Sequence, residues 1–118
     1  FEGNTLTHDL REWNTLRRQV VSHPEFGLGG PSVNWVDLAL RDGDALAELD
    51  APDVPALAVY AGNEKIVRND RIEAITAKWP KAKAYRVEGA EHEVLMESSE
   101  MRRQVWDQVT AFLDSHTA

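Results

Sequence analysis

The sequence has 118 residues, 42% apolar and 28% charged, which suits one globular domain with a modest core rather than a disordered chain. The formal net charge of −7 disfavours nucleic acid as a partner, because an acidic surface repels phosphates. Cysteine is absent, which excludes disulfides and thiolate metal sites, and no apolar run approaches the ~18 residues that a membrane-spanning helix needs.

The first half of the chain predicts two helices. Thr7 is a suitable N-cap for a helix with apolar residues at helical spacing, which ends before Pro24. The stretch "FGLGGPS" predicts a turn, and Ser32 can cap a second helix. The connector "DAPDVP" has little helix or strand propensity. It marks the one candidate boundary, between residues 1–50 and 51–118.

The second half predicts a strand, a helix, a second strand and a terminal helix. The short apolar run "PALAVYAG" is typical of a strand buried on both faces, and "AKAYRVEG" is the second strand. Asn69 or Asp70 can cap the helix between them, and Ser99 can cap the last one. This order predicts an α/β fold with a parallel strand pair joined by a right-handed crossover. Because parallel strands expect neighbours on both sides, we expect further strands upstream.

Two polar loops follow the two predicted strands. "GNEKIVRN" carries Glu64, and "GAEHEVLME" carries His92. The carboxyl ends of parallel strands meet at one edge of a sheet, so these side chains can lie together, as a carboxylate that orients an imidazole. Asp70 is a competing acid, although a helix cap explains it better.

Other interpretations of His92 stay open on residue type alone. A lone histidine in a polar loop is more often solvated than catalytic. A metal site made of His92, Glu93 and Glu97 is disfavoured, because the sequence lacks the second histidine of a zinc-binding helix. We therefore expect no metal and no cofactor.

The remaining polar residues near this loop predict ordinary surface roles. Glu91 and Glu93 are expected to face solvent or to support the site from behind. Glu97 and Arg102 are expected to form an ion pair on the surface, worth only ~0–1 kcal/mol. His8 has no cluster of polar residues around it in the sequence.

Four stretches of the sequence resemble a known family. "VPALAVYAGNEKIV", followed by "VEGAEHEVLMESSEMRRQVWDQVTAFL", resembles the C-terminal part of the α/β-hydrolase fold, in particular its bacterial lysophospholipase and monoacylglycerol-lipase-like branch. "FEGNTLTHD" and "LGGPSVNW" resemble the end of that family's helical cap. The resemblance implies a cap end in residues 1–50 and a core segment in residues 51–118. It also implies that His92 is the triad base and that Glu64 stands where the family has aspartate.

The nucleophile of that family has no counterpart in this sequence. The serine of an α/β-hydrolase lies in a G-x-S-x-G elbow after a strand, whereas Ser32 is followed by Val-Asn-Trp and precedes a predicted helix. We therefore expect the acid and base of a triad without its serine, and no activity from the chain alone. Since the sequence begins at Phe1 rather than at methionine, we also expect it to be part of a longer chain.

The activity that the resemblance implies is serine-dependent hydrolysis of an ester, without a cofactor. The substrate would be a monoacyl lipid, a lysophospholipid or a monoacylglycerol, or another small ester. The cap end would supply an apolar acyl pocket, with Leu28, Val33, Trp35 and Leu38 as its walls. The expected location is the cytoplasm, with peripheral contact to the inner membrane as an option.

Two alternatives remain at this stage. The chain can be a non-catalytic piece that associates with a second copy of itself or with the missing upstream half, because a half-sheet exposes a strand edge and an apolar face. It can also belong to an enzyme with another activity of the same fold, such as a carboxylesterase or a thioesterase.

Overall fold

A computed structural model describes residues 2–117 of the chain. Its order is two helices, then strand, helix, strand and helix, as the sequence predicted. The elements are α1 (Leu10–Ser22), α2 (Val33–Ala47), β1 (Ala56–Ala61), α3 (Asn69–Lys78), β2 (Ala82–Val87) and α4 (Ser99–Asp114), with single 3-10 turns at Pro24–Phe26 and Val94–Met96.

The two strands form a parallel pair, with Ala56 opposite Ala82 and Ala61 opposite Val87. The core lies at the carboxyl ends of these strands, where Ala61, Val87 and Ala90 pack with Val105 of α4. Small alanines at two of these positions let the backbone segments approach closely. The best-buried part of the molecule therefore lies directly beneath the two polar loops, and the mixed α/β class predicted from the sequence is confirmed.

Helices α1 and α2 contain no buried residue. Near the end of α2, polar groups make the links to α3: Arg71 Nη2 lies 2.7 Å from Asp44 Oδ1, and Lys78 Nζ donates to the Ala47 carbonyl at 3.2 Å. Most of the apolar surface of α2 therefore stays exposed. Among residues 2–117, no helix is both long enough and apolar enough to cross a membrane.

The starts of the first two helices test the predicted caps. Ser32 caps α2 as expected, and its hydroxyl accepts from the Trp35 amide at 3.2 Å. Thr7 as the cap of α1 was wrong: Asp9 caps that helix, and its carboxylate accepts from two amides of the first turn. Thr7 is instead buried, and its hydroxyl is bonded outside the helix.

The other two predicted caps are each displaced by one position. The cap of α3 is Arg68, whose guanidinium pairs with Asp70, while the Asn69 side chain donates to the Ala61 carbonyl at 2.9 Å. The cap of α4 is Ser98 rather than Ser99. In α3 the asparagine is therefore used to tie the helix start to the end of β1.

Candidate active site

Backbone hydrogen bonds join the two polar loops beyond the ends of the strands. The Gly62 amide donates to the Val87 carbonyl at 2.8 Å, and the Asn63 amide donates to the Ala90 carbonyl at 2.9 Å. A Cβ atom at Gly62 would lie 2.9 Å from the Val87 oxygen, a distance that side-chain carbons do not tolerate. Glycine at position 62 therefore lets the two loops run side by side.

Glu64 lies at the centre of the first loop, and its side chain is only 3% exposed. Its Oε1 accepts from the amides of Lys65, Ile66 and Val67 at 2.9, 2.6 and 3.2 Å. Its Oε2 lies 2.7 Å from Nδ1 of His92. One oxygen thus fixes the carboxyl group in its own loop, and the other reaches the neighbouring loop.

These contacts decide the protonation of Glu64. Burial by itself would raise the pKa of this carboxyl group, but the hydrogen bonds from the Ile66 amide, His92 and the Val67 amide outweigh burial, and the pKa lies below its usual value. Glu64 is therefore ionised at neutral pH, and its negative charge faces the imidazole.

His92 is held on two sides and open on a third. Its backbone amide donates to the Thr5 carbonyl at 3.3 Å. Because the Glu64 carboxylate can only accept, Nδ1 carries the proton of the hydrogen bond between them. Nε2 makes no hydrogen bond to any residue in the range 2–117, and the side chain remains 28% exposed. A neutral imidazole in this state presents Nε2 as a proton acceptor to an incoming group.

The competing acid Asp70 does not contact His92. Asp70 is exposed and bonded to Arg68, so Glu64 is the acid that the structure brings to the histidine. Within the described range, no three histidine or acidic side chains are grouped as metal ligands would be. The contacts of His92 therefore leave an acid and a base side by side.

The expected surface position of Glu97 was wrong, and of the two options for Glu91 the solvent-facing one is excluded. Both are buried, and Glu97 is fully so. The Glu97 carboxylate accepts from the Glu91 amide at 2.8 Å and from the His8 amide at 3.1 and 3.2 Å. Backbone donors thus replace the water that an exposed acid would have, which is why this carboxyl group can be buried. Glu93 is exposed, as one of the two expected options.

The partners of these acids also differ from those expected. Arg102 donates to the Glu97 carbonyl at 2.6 Å, not to its carboxylate, and pairs with Glu12 at 2.9 Å. His8, which seemed isolated in the sequence, has its ring nitrogens 3.3 Å from Glu91 and 3.4 Å from Glu97. The one local hint was the recurrence of acids in "EHEVLME", because His8 itself lies 89 residues away from Glu97.

The four predicted pocket residues lie far out on the surface. Leu28 and Val33 are 90% and 87% exposed, and Trp35 and Leu38 are 62% and 50% exposed. At these exposures the described residues do not enclose them in a pocket. Their role as walls of an acyl pocket remains a prediction.

Comparisons with known proteins agree with the family resemblance. No family model matches the chain. The probable lysophospholipase L2 of Haemophilus influenzae is 35% identical over 115 residues, which are 97% of this chain and 37% of that protein. The lysophospholipase L2 of Escherichia coli K12 is 29% identical over 126 residues, which cover all of this chain and 37% of that protein. The chain thus spans little more than a third of these curated relatives. The chain is similar to the C-terminal part of these lysophospholipase L2 proteins, and its mixed α/β architecture is consistent with the C-terminal part of an α/β-hydrolase fold.

Proposed function

We propose that this chain supplies the acid and the base of a serine ester hydrolase, with Glu64 as the acid and His92 as the base. The observation that carries the proposal is the 2.7 Å contact between Glu64 Oε2 and His92 Nδ1 at the carboxyl ends of adjacent parallel strands. The burial of Glu64 and the partial exposure of His92 support it, because the acid must be fixed and the base must be reachable.

In this mechanism Nε2 of His92 takes the proton of a serine hydroxyl as that oxygen attacks the ester carbonyl. The resulting imidazolium gives the proton to the leaving alcohol, and the histidine then activates water to release the acid product. Glu64 keeps the proton on Nδ1 and stabilises the positive charge on the ring. The three amides on its Oε1 hold it in place throughout.

The serine is proposed to come from polypeptide outside these 118 residues. The sequence contains no G-x-S-x-G elbow, and Ser32 and Ser98 serve as helix caps in the structure. The chain would therefore act as part of a larger protein or assembly, and in isolation it would have no hydrolase activity.

The proposed substrate is a lysophospholipid or another monoacyl lipid. Its support is the names of two relatives, the probable lysophospholipase L2 of Haemophilus influenzae and the lysophospholipase L2 of Escherichia coli. Hydrolysis of other esters or of thioesters is the alternative within the same site, because the acid and base do not select the acyl group.

A non-catalytic, self-associating role is favoured by a different observation. The apolar residues of α2 are exposed, including Trp35 and Leu40 at 62% and 66%. An apolar face of this kind in a soluble protein commonly marks an interaction surface. The same face would equally receive the rest of a larger hydrolase, so activity decides between the two roles.

A chimera tests the proposal directly. This chain replaces the matched 115 residues of the Haemophilus influenzae relative, and the product is assayed on a lysophospholipid and on a short-chain chromogenic ester. His92→Ala is expected to lower kcat by about 10⁴-fold or more, and Glu64→Gln by about 10⁴-fold, because the neutral amide can no longer hold the correct tautomer. Asp70→Asn, which alters an exposed acid on α3, should leave kcat within about twofold.

Each outcome of this assay has a distinct meaning. Activity that survives His92→Ala contradicts the proposed base. A folded chimera without activity on either ester favours the non-catalytic role. Activity on the chromogenic ester alone would support the hydrolase mechanism and reject the lysophospholipid as substrate.

A further inference from the structure

Residues 4–9, "NTLTHD", form a compact turn that we call the N-terminal turn. The Asn4 side chain donates to the Thr7 carbonyl at 2.6 Å and accepts from the Leu6 amide at 2.9 Å. The Thr7 hydroxyl accepts from the Asp9 amide at 2.9 Å. Side chains thus satisfy the backbone of this turn, although it has no regular secondary structure.

The N-terminal turn lies directly on the loop that carries His92. The carbonyls of Thr5 and Leu6 accept from the amides of His92 and Glu93, at 3.3 and 2.8 Å. The Thr7 hydroxyl donates to the Met96 carbonyl at 2.6 Å. The backbone of the base is therefore bonded to a segment almost ninety residues earlier in the chain.

The Glu97 carboxylate is bonded both to the N-terminal turn and to the loop that carries His92. The bond from the Glu91 amide to Glu97 Oε1 closes the loop on itself, with His92 inside the closed stretch. The bonds from the His8 amide to both carboxyl oxygens attach the N-terminal turn to the same group. A fully buried carboxyl group thus anchors the turn and both ends of the histidine loop.

This arrangement is sensitive to loss of any partner. Without the carboxyl group, the amides of His8 and Glu91 would lack an acceptor, and buried donors without acceptors are costly. The loop would then open to water or shift to find new partners. Since His92 is the residue next to Glu91, either response would move the imidazole relative to Glu64.

We propose that Glu97 is a positioning residue for His92, which it holds against Glu64 by closing the histidine loop and anchoring the N-terminal turn. The catalytic meaning of this role rests on the proposed function, whereas the positioning itself does not require activity. Glu97 is not proposed to touch the substrate.

The test compares Glu97→Ala with Glu93→Ala by NMR in the chimera described above and in the chain itself. Glu93 is the matched control, because it is a glutamate of the same loop with an exposed side chain. Two signals are followed: the Nδ1 proton of His92, and the exchange rates of the His92 and Glu93 amides with solvent.

Glu97→Ala is expected to broaden or move the Nδ1 proton signal and to raise both exchange rates at least ~10-fold, because the loop opens locally. Glu93→Ala should leave the Nδ1 signal in place and both exchange rates within about twofold of the wild type. Glu97→Gln keeps an oxygen acceptor and should restore part of the protection. Thr7→Val removes the hydroxyl's bonds to the Met96 carbonyl and the Asp9 amide but keeps the Glu97 carboxylate. It should give a smaller change of the same sign, and it serves if the alanine variant fails to fold.

The proposal is overturned if Glu97→Ala and Thr7→Val leave the Nδ1 signal unchanged. It is also overturned if exchange rises equally in α4, since that result would make Glu97 a residue of general stability only. If the chimera is active, Glu97→Ala should lower kcat more than it raises KM. If the chimera is inactive, the proposed function fails while the NMR signals still decide the role of Glu97.

Discussion

Residues 56–97 include buried apolar side chains at the strand ends, whereas residues 10–47 include none. In the first region, Ala61, Val87 and Ala90 are at most 1% exposed, and they lie beneath loops joined by backbone hydrogen bonds. In the second, neither helix has a buried residue. The geometry of Glu64 and His92 is therefore set by bonds within the chain, whereas the apolar side chains of the two helices are largely exposed.

The N-terminal turn does not follow this division. By sequence it precedes α1 and falls within the predicted residues 1–50, but its hydrogen bonds go to the histidine loop. Asp9 caps α1 directly after this turn, and Glu12 of that helix pairs with Arg102 of α4. Movement of α1 would thus be transmitted to the loop of His92 through the N-terminal turn and the Glu12–Arg102 ion pair.

One pair of glycines should show the largest difference between the two regions. Gly62→Ala places a Cβ atom 2.9 Å from the Val87 carbonyl oxygen and should lower the free energy of unfolding by about 1–3 kcal/mol. Gly43→Ala, in the interior of α2 with open space around it, should raise helix stability by up to ~1 kcal/mol. Urea unfolding followed by circular dichroism measures both. Equal effects at the two positions would contradict the close approach of the loops.

The second prediction concerns Glu64 and the dependence of the protein's stability on pH. The pKa of Glu64 is lowered in the folded protein, since burial, which acts the other way, is outweighed by the bonds from Ile66, His92 and Val67. An acid of this kind stabilises the fold above its unfolded pKa of about 4.3, and that stability is lost as the pH falls through the lower folded pKa.

The free energy of unfolding, measured from neutral to acidic pH, should therefore depend on pH differently in the wild type and in Glu64→Gln. The variant should be less stable at neutral pH, and the gap should close as the pH falls below about 4.3. Asp37→Asn, which alters an exposed acid on α2, should give a curve parallel to that of the wild type. A gap that persists unchanged in acid would mean that the charge of Glu64 does not stabilise the fold.

The sequence was sufficient for the strand pair and for the meeting of Glu64 with His92. A short apolar run ended by glycine identified β1, and "AKAYRVEG" followed as the second strand. A crossover helix between two strands favours the parallel pairing that the structure has. Glu64 and His92 each lie within five positions of a strand end, so the sheet itself brings them together.

The sequence was insufficient for Thr7, His8 and Glu97, because Thr7 bonds to Met96 and His8 to Glu97 across 89 positions of the chain. Thr7 has the residue type of a helix cap, and two residues later Asp9 satisfies the same role. An acid such as Glu97 is normally exposed, and only the arrival of the His8 and Glu91 amides makes its burial favourable. Local patterns carry no information about such partners.

The smallest predicted effect tests whether α2 is as exposed in solution as its contacts indicate. Trp35→Ala should change the free energy of unfolding by less than about 0.5 kcal/mol, because the side chain is 62% exposed, whereas a buried tryptophan typically costs about 3–5 kcal/mol. Val105→Ala in α4, where the valine is 3% exposed, is the control for a core position and should cost about 1–3 kcal/mol. A cost above about 2 kcal/mol for Trp35→Ala would show that α2 packs on apolar surface, from this chain or a second copy. In that case α2 would be buried in solution, and its exposure would not distinguish it from the strand region.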